Sequence, residues 1–326
     1  MPKLMELLER SGGRSALAAV GHRVVHGGMR YAQPQRVTAE VLAELKRLRP
    51  YDPEHMPAEI DLIEICSRNF PDVPQVACFD TAFHQQMPRV ARLLPIPRRY
   101  FARGIQRYGF HGLSYAYLME ELRRIGGDYA ANGRVILAHL GNGASMAAVR
   151  NGKSVDTTMG FTPTAGLPMS TRSGDLDPGI VAYLAKNEGI GLDQFHEMVN
   201  SKSGLLGVSE SSPDVRDLLA RERDDERAAD AIAMFCYHAR RWIGAFAAVL
   251  GGLDTLVFSG GIGENSPDIR ARICEGLGFL GIELDQARNA AGDAVISADR
   301  NKVIVRVIRT DEELQIVTSV LKVLAS

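Results

Sequence analysis

Glycines beside short polar residues form the first stretch that could carry chemistry, at residues 141–145. The sequence GNGAS lies there between two apolar runs, which predicts a strand over residues 135–140, a tight turn and a second strand. Backbone without bulky side chains can approach a phosphate closely and direct N–H groups at it, and Asn142 and Ser145 add short polar groups. A plain β-hairpin explains the same residues, because Asn-Gly is a common hairpin turn.

A second glycine-rich stretch, SGGIGENSP at residues 259–267, follows the apolar run 256–258. It predicts a strand, a glycine loop and a helix capped by Ser266, which would direct backbone amides and a helix N-terminus at an anion. Its glycines do not fit G-x-G-x-x-G, and GxxxxGK[ST] occurs nowhere in the chain. Two glycine-rich stretches that each follow a strand, and that fit neither the dinucleotide-binding nor the P-loop pattern, indicate a nucleotide-binding fold of another kind.

Charged side chains near turns are the next candidates. Arg23 lies in an apolar run, where a bound anion and a structural ion pair explain a guanidinium equally well. Asp80 follows a predicted strand, where α/β enzymes place catalytic groups and where a turn aspartate is also common. His111 stands between two glycines, a position that local structure does not require a histidine to fill. Arg172 lies in a long irregular stretch and is a second candidate for binding an anion.

Periodicity and capping residues predict the elements that position these groups. The predicted strands are 15–20, 76–79 and 303–308, and the predicted helices are 38–48, 58–66, 178–186, 192–201, 224–250 and a last one from residue 310. Apolar residues nearly all round helix 224–250 indicate burial on several sides, in the core or at a dimer interface.

Two further helix starts bear on candidate site residues. Ser212 is predicted to cap a helix with Pro213 at its first position, which accounts for Asp214 but not for Arg216. The last helix begins with Thr310 and Glu313 in capping-box spacing. That box leaves Glu312 free to face a cleft and a metal.

Length and composition are those of an ordinary globular protein. The 326 residues allow one large or two moderate domains, and 45% are hydrophobic and 24% charged. A net charge of −1 provides no electrostatic attraction to nucleic acid or to an anionic membrane. The four cysteines are scattered through apolar runs, as expected for reduced, buried thiols in a cytoplasmic protein. The charged N-terminus predicts no signal peptide, and no apolar run is long enough to span a membrane.

Nine motifs occur in one order along nearly the whole chain: HRVVHGG, FDTAFH, RYGFHG, HLGNGAS, DTTMGFTP, TRSGDLDP, KSGLLGVS, SGGIGENS and TDEEL. In these motifs the sequence resembles the acetate kinase family. The resemblance implies a two-domain α/β fold of the sugar kinase and actin (ribonuclease H-like) superfamily, with a nucleotide cleft between the domains. It implies an N-terminal domain at residues 1–80 and 308–326 and a C-terminal nucleotide-binding domain at residues 81–307.

The reaction implied by the resemblance is direct in-line phosphoryl transfer from ATP to acetate, giving acetyl phosphate and ADP, with Mg²⁺ or Mn²⁺. Such transfer requires the protein mainly to position the reactants and to cancel charge on the moving phosphoryl group. A homodimer in the cytoplasm is the expected assembly. The sequence leaves open propionate as the acid, and also a catalytically impaired nucleotide-binding homologue.

The same resemblance implies a role for each candidate residue. Those implied to bind the acid are Arg23, Val25, Phe110 and Pro163. The implied catalytic residues are Arg172, which would bridge the acid and the phosphoryl group, His111, which would stabilise the transition state, and Asp80, which would help to place the metal and the acid. His55 is implied to lie along the cleft, and Glu312 to bind the metal. Those implied to contact the nucleotide are His139, Asn142, Gly143, Asp214, Val215, Arg216, Gly261, Ile262, Gly263 and Asn265.

The chain departs from the family pattern at several places. Residues 54–56 read Glu-His-Met where the family has leucine-histidine-asparagine, and Leu113 replaces a threonine. Pro168 and Ser170 alter the approach to Arg172. The family's first strand and its NAGSSSLK segment, with an asparagine that faces metal and phosphate, have no counterpart here. We therefore expect an incomplete N-terminal domain whose sheet has an exposed edge.

Overall fold

The computed structural model describes residue 13 and residues 17–325, and contains two β-sheets. The smaller sheet has three strands, β1 (Val20–Val24), β2 (Gln35–Arg36) and β3 (Gln75–Phe79), in the order β1-β3-β2. β1 runs parallel to β3, and β2 runs antiparallel to it. Among the described residues β1 is therefore an edge strand.

Three helices cover the smaller sheet: α1 (Ala39–Leu48), α2 (Met56–Asn69) and the C-terminal α14 (Glu312–Leu324). Helix α1 begins as predicted, because the Thr38 side chain accepts a hydrogen bond from Val41 N. Helix α2 packs on β1, and α14 packs on both β1 and β3. The carboxyl ends of β1 and β3 thus lie between α2 and α14, near the first residues of both helices.

The larger sheet has five strands, β4 (Arg134–Leu140), β5 (Ala144–Arg150), β6 (Lys153–Thr157), β7 (Thr255–Ser259) and β8 (Ile304–Val307). Their order is β6-β5-β4-β7-β8, with β4, β7 and β8 parallel and the β4–β5 hairpin antiparallel. The predicted hairpin is confirmed.

Two long helices cover opposite faces of this sheet. Alternate residues of β4 point to the two sides: Ile136 and Ala138 pack in the main core with α10 (Glu226–Leu250), and Val135 and Leu137 pack with α5 (Gly112–Asn132). Helix α5 is interrupted at Gly127. Helix α10 buries one stripe only, since Tyr237 is 63% exposed in this single chain. Of the two predicted explanations for its apolar residues, burial on several sides within the core is therefore not observed, and burial at a dimer interface stays a prediction.

Shorter helices complete the described chain: α3 (Arg89–Arg92), α4 (Arg99–Ala102), α6 (Gly179–Glu188), α7 (Leu192–Ser201), α8 (Gly204–Ser209), α9 (Val215–Arg221), α11 (Gly260–Asn265), α12 (Pro267–Cys274) and α13 (Gln286–Ala291). Residues 158–178 form neither helix nor strand, as predicted. All four cysteines are buried free thiols. Within the described part of the chain, no helix is both long enough and apolar enough to cross a bilayer.

Several local predictions are wrong in position. The strand predicted at residues 15–20 begins only at Val20, and residues 15 and 16 lie outside the described part of the chain. Residues 260–265, predicted as a loop, form α11 directly after β7.

Two helix caps differ as well. Asp214 caps α9 and Asp311 caps α14, each accepting a backbone hydrogen bond, in place of the predicted Ser212 and Thr310. Aspartate is as good a cap as serine or threonine, so adjacent candidates cannot be ranked from sequence.

Candidate active site

Arg23, near the end of β1, forms the first cluster with two carboxylates. Its Nη2 lies 2.7 Å from Asp80 Oδ2, and its Nη1 lies 3.7 Å from Glu312 Oε2. Asp80 directly follows β3, and Glu312 is the first residue of α14, so three elements meet at this point. The Asp80 charge raises the pKa of Arg23, and burial raises the pKa of Glu312. Of the two explanations weighed for Arg23, the structural ion pair is thus present, at the sheet edge where a site was predicted, and binding of an anion stays a prediction.

Arg172 lies in a second cluster, in which no described carboxylate contacts the guanidinium directly, although Asp52 and Glu54 act on it from further away. Its Nη1 donates to the Pro163 carbonyl at 3.3 Å, and its Nη2 lies 3.4 Å from His55 Nε2. His55 Nδ1 lies 2.9 Å from Asp52 Oδ1, and this hydrogen bond raises the pKa of His55. No carboxylate of the described residues lies within 4 Å of the Arg172 guanidinium, and burial lowers its pKa. An incompletely compensated, desolvated guanidinium is suited to binding an anion.

Two stacked histidines form the third part of the site. The rings of His111 and His139 lie 4.3 Å apart at an interplanar angle of 27°. His111 Nδ1 lies 2.8 Å from Ser145 Oγ, and His139 Nδ1 lies 2.9 Å from Ser114 Oγ. Burial lowers the pKa of His139 to about 4 and holds the pKa of His111 well below its ordinary value. Both imidazoles are therefore neutral at pH 7 and act as hydrogen-bonding groups.

The backbone of His111 is left-handed, with φ 58°. This conformation costs a residue with a side chain about 1–3 kcal/mol. It places the ring directly before α5, where Gly112 N donates to the Asp80 carbonyl at 2.9 Å. The strained residue is thus fixed to the same strand end that carries the Arg23 partner.

Gly143 joins the histidines to Arg172. A Cβ atom on Gly143 would lie 3.3 Å from His111 Nε2 and 3.5 Å from Arg172 Nη1. A Cβ atom on Gly141 would likewise lie 3.6 Å from His139 Nε2 and 3.8 Å from Gly261 N. The two glycine stretches, separated by more than a hundred residues in sequence, therefore meet in space beside the charged groups.

A cavity of about 710 Å³ opens on the far side of these glycines. Residues predicted to contact the nucleotide that line it are Asn142, Asp214, Val215, Arg216, Gly261, Ile262 and Asn265. Its volume suits a ligand of nucleotide size. Gly263 does not line it; this residue is buried against β4 and Phe258. Gly260 N also does not face the cavity as a free donor, because it donates to Glu264 Oε1 at 2.9 Å.

The residues predicted around the methyl group of the acid are less close together. Pro163 lines a cavity of about 140 Å³ with Arg172 and His55. Val25 and Phe110 do not line it; both are buried in the main core. Sequence reasoning also missed Asp52, although its position three residues before His55 at a helix start is a visible pairing signal.

Asp80 and Glu312 form the donor set available for a divalent cation. In the described residues no group of three histidine, cysteine, aspartate or glutamate side chains is placed to hold a metal ion. Mg²⁺ is usually bound by one or two carboxylates together with substrate phosphates and water. Two carboxylates that converge on Arg23 therefore fit Mg²⁺ brought by a nucleotide, and do not form an all-protein metal site.

Comparison with known proteins gives one consistent result. The family model described as the acetokinase family matches residues 3–318. The acetate kinase of Rhodopseudomonas palustris (strain ATCC BAA-98 / CGA009) is 46% identical over 318 residues, covering 97% of this chain and 79% of that protein. The propionate kinase of Citrobacter rodentium (strain ICC168) is 46% identical over 325 residues, covering 98% and 81%. The crystal structure of Porphyromonas gingivalis acetate kinase superposes with a TM-score of 0.89 at 40% identity, covering 94% of this chain and 78% of that one.

These matches extend over both sheets and all nine motifs, so they confirm the predicted α/β kinase fold of the actin-like sugar kinase superfamily. They include enzymes named for two different acids, which leaves the acid to be decided by the site. The chain belongs to the acetokinase family.

Proposed function

We propose that the protein is an acetate kinase that transfers the γ-phosphoryl group of ATP to acetate, reversibly and by direct in-line displacement. The observation that carries this proposal is the convergence of Arg172, His111 and Gly143 beside the 710 Å³ cavity. One carboxylate oxygen of acetate attacks the γ-phosphorus as the bond to the β,γ-bridging oxygen breaks. The products are acetyl phosphate and ADP.

The charged groups act on the moving phosphoryl group and on the acid. Arg172 would bridge the acid carboxylate and the phosphoryl oxygens, since no described carboxylate lies within 4 Å of its guanidinium. His111, neutral at pH 7, would donate a hydrogen bond from Nε2, with Nδ1 accepting from Ser145. Arg23 would hold the acid, and Asp80 would keep Arg23 in place. Removing one donor of this kind typically costs about 2.7–4 kcal/mol of barrier.

The nucleotide would lie in the larger cavity, with its phosphates toward the glycines. Asn142 and Gly143 would contact the phosphates, and His139 would support the His111 ring by stacking. The residues proposed to contact the adenosine are Asp214, Val215, Arg216, Gly261, Ile262 and Asn265. Gly263 would not contact the nucleotide but would pack closely beneath the residues that line this cavity, since it lies against β4.

Mg²⁺, or Mn²⁺ in its place, would be held by Glu312 with Asp80 and by the nucleotide phosphates. The cation supplies neutralising charge at the phosphoryl oxygens when bound. His55, paired with Asp52, would orient Arg172 along the cleft.

A turnover assay tests the function. Acyl-hydroxamate formation should require ATP and a divalent cation and should give a higher kcat/KM with acetate than with propionate. One extra methylene is worth about 1–3 kcal/mol of discrimination in an apolar pocket, so the ratio of the two kcat/KM values identifies the acid. A higher value with propionate would support a propionate kinase. Calorimetric ATP binding with no product from either acid would support the impaired homologue instead.

The remaining expectations are also proposals. Two domains, residues 1–80 with 308–326 and residues 81–307, agree with the packing of α14 on the smaller sheet and with the separate larger sheet. A homodimer is proposed from the resemblance, to be tested by light scattering. Cytoplasmic location and the lack of a nucleic-acid partner are proposed on composition and family alone.

A further inference from the structure

Glu59 is a carboxyl side chain next to the site to which the mechanism above gives no role. It lies on α2, one turn after His55, and its Oε2 accepts a hydrogen bond from Val25 N at 3.0 Å. Val25 stands just beyond the last paired residues of β1 and β3, Val24 and Phe79. Glu59 therefore joins α2 to the end of β1 at the point where sheet pairing stops.

The hydrogen bond has a local structural purpose. A buried backbone N–H without an acceptor destabilises the fold, and Val25 N has passed the end of the strand ladder. An acceptor in this position fixes the backbone that leads back, by two residues, to Arg23. The Arg23 guanidinium lies between Asp80 and Glu312, so a small change in the strand end moves it relative to both carboxylates.

The charged groups around Glu59 are all candidate site residues. Arg23 from β1, Asp80 after β3 and His55 at the start of α2 are the groups that act on its carboxyl. Glu59 itself faces the backbone of Val25, and its nearest described partner is that N–H group. Its hydrogen bond to Val25 N is the contact through which Glu59 acts on the position of Arg23.

We propose that Glu59 is a positioning residue for the end of β1: it holds the Val25 backbone, and through it Arg23, in the geometry that binds the carboxylic acid substrate. The proposal rests on the proposed function. It requires a hydrogen-bond acceptor at this position and does not require a negative charge. Glutamine should therefore replace Glu59, and alanine should not.

The test compares Glu59→Ala and Glu59→Gln with Asp61→Ala, which removes an exposed carboxylate from the same helix. Glu59→Ala should raise the KM for acetate about tenfold, the usual effect of one lost hydrogen bond, with the KM for ATP within about twofold of wild type. Glu59→Gln and Asp61→Ala should resemble wild type. Hydrogen exchange of a peptide containing residues 23–26 should be faster in Glu59→Ala only.

Three results would overturn the proposal. The first is an unchanged KM for acetate in a folded Glu59→Ala protein. The second is an equal rise in both KM values, which indicates general destabilisation. The third is Glu59→Gln behaving like Glu59→Ala. Wild-type protein that turns over neither acetate nor propionate would refute the proposed function, whereas normal wild-type turnover with an unaffected Glu59→Ala refutes this proposal alone.

Discussion

Replacing Arg172 by alanine should strongly reduce turnover and leave nucleotide binding nearly intact. The guanidinium is held by the Pro163 carbonyl and His55, and no described carboxylate lies within 4 Å of it. At an effective dielectric constant of about 20, a unit charge about 4 Å from an anion contributes about 4 kcal/mol. Loss of one such group in measured enzymes costs about 2.7–4 kcal/mol, so kcat should fall by about 10²–10³-fold.

Two measurements on the same protein check the Arg172 reasoning. Hydroxamate formation gives kcat, and calorimetry gives the affinity for a nonhydrolysable ATP analogue. Arg172 does not line the 710 Å³ cavity, so the nucleotide affinity should stay within about threefold. Arg172→Lys should recover only part of the rate, because lysine lacks the planar fork of donors. A variant that keeps more than a third of the wild-type kcat, or that loses both activities together, would refute the role.

Four further predictions concern other parts of the site. Arg216→Ala, which removes an exposed cation at the nucleotide cavity, should raise the KM for ATP several-fold and leave the KM for acetate unchanged in steady-state kinetics. Gly143→Ala would place a methyl group 3.3 Å from His111 Nε2, so kcat should fall at least about tenfold without a large change in Tm. Glu312→Gln should raise the Mg²⁺ concentration needed for half-maximal rate, and an unchanged requirement would contradict its proposed role. Denaturant titrations should show the free energy of unfolding falling as the pH drops from 6.5 towards 4. Over this range the unfolded chain binds more protons than the folded one, because burial lowers the pKa values of His26, His84, His111 and His139 in the fold.

Local signals predicted the elements well where periodicity and capping agreed. Helix α1 combines an amphipathic pattern with the Thr38 cap, and the β4–β5 hairpin combines two apolar runs with an Asn-Gly turn. The prediction failed where neighbouring residues could serve equally, as at the α14 cap and at the apolar run before β1. The glycines of α11 form a helix because the chain leaves β7 at the carboxyl end of the sheet and packs there. Intrinsic helix propensity does not include such packing.

The contacts of the site lie beyond what local sequence can specify. His111 and His139 are 28 positions apart, and Gly143 and Arg172 are 29 positions apart, so the pairs exist only after the sheets and loops assemble. The resemblance supplied the set of residues but not their protonation. Burial keeps His111 neutral, so its contribution to the transfer is a hydrogen bond, and positive charge comes from the arginines. The sequence carries the residue types, whereas their desolvation depends on the completed fold.

The two arginines divide the work because their surroundings differ. Arg23 is paired with Asp80 and lies near Glu312, so these carboxylates compensate part of its charge and fix the direction in which it would meet the acid. Arg172 is desolvated and has no described carboxylate within 4 Å, so more of its charge is available to an anion beside Gly143, with Asp52 and Glu54 acting on it only from further away. The carboxylate of the acid and the triphosphate repel each other. A cation that is not already paired with either anion can bring them together. The Asp52–His55 pair serves this arrangement by holding Arg172 through His55 Nε2, so that the Asp52 carboxylate does not contact the guanidinium directly.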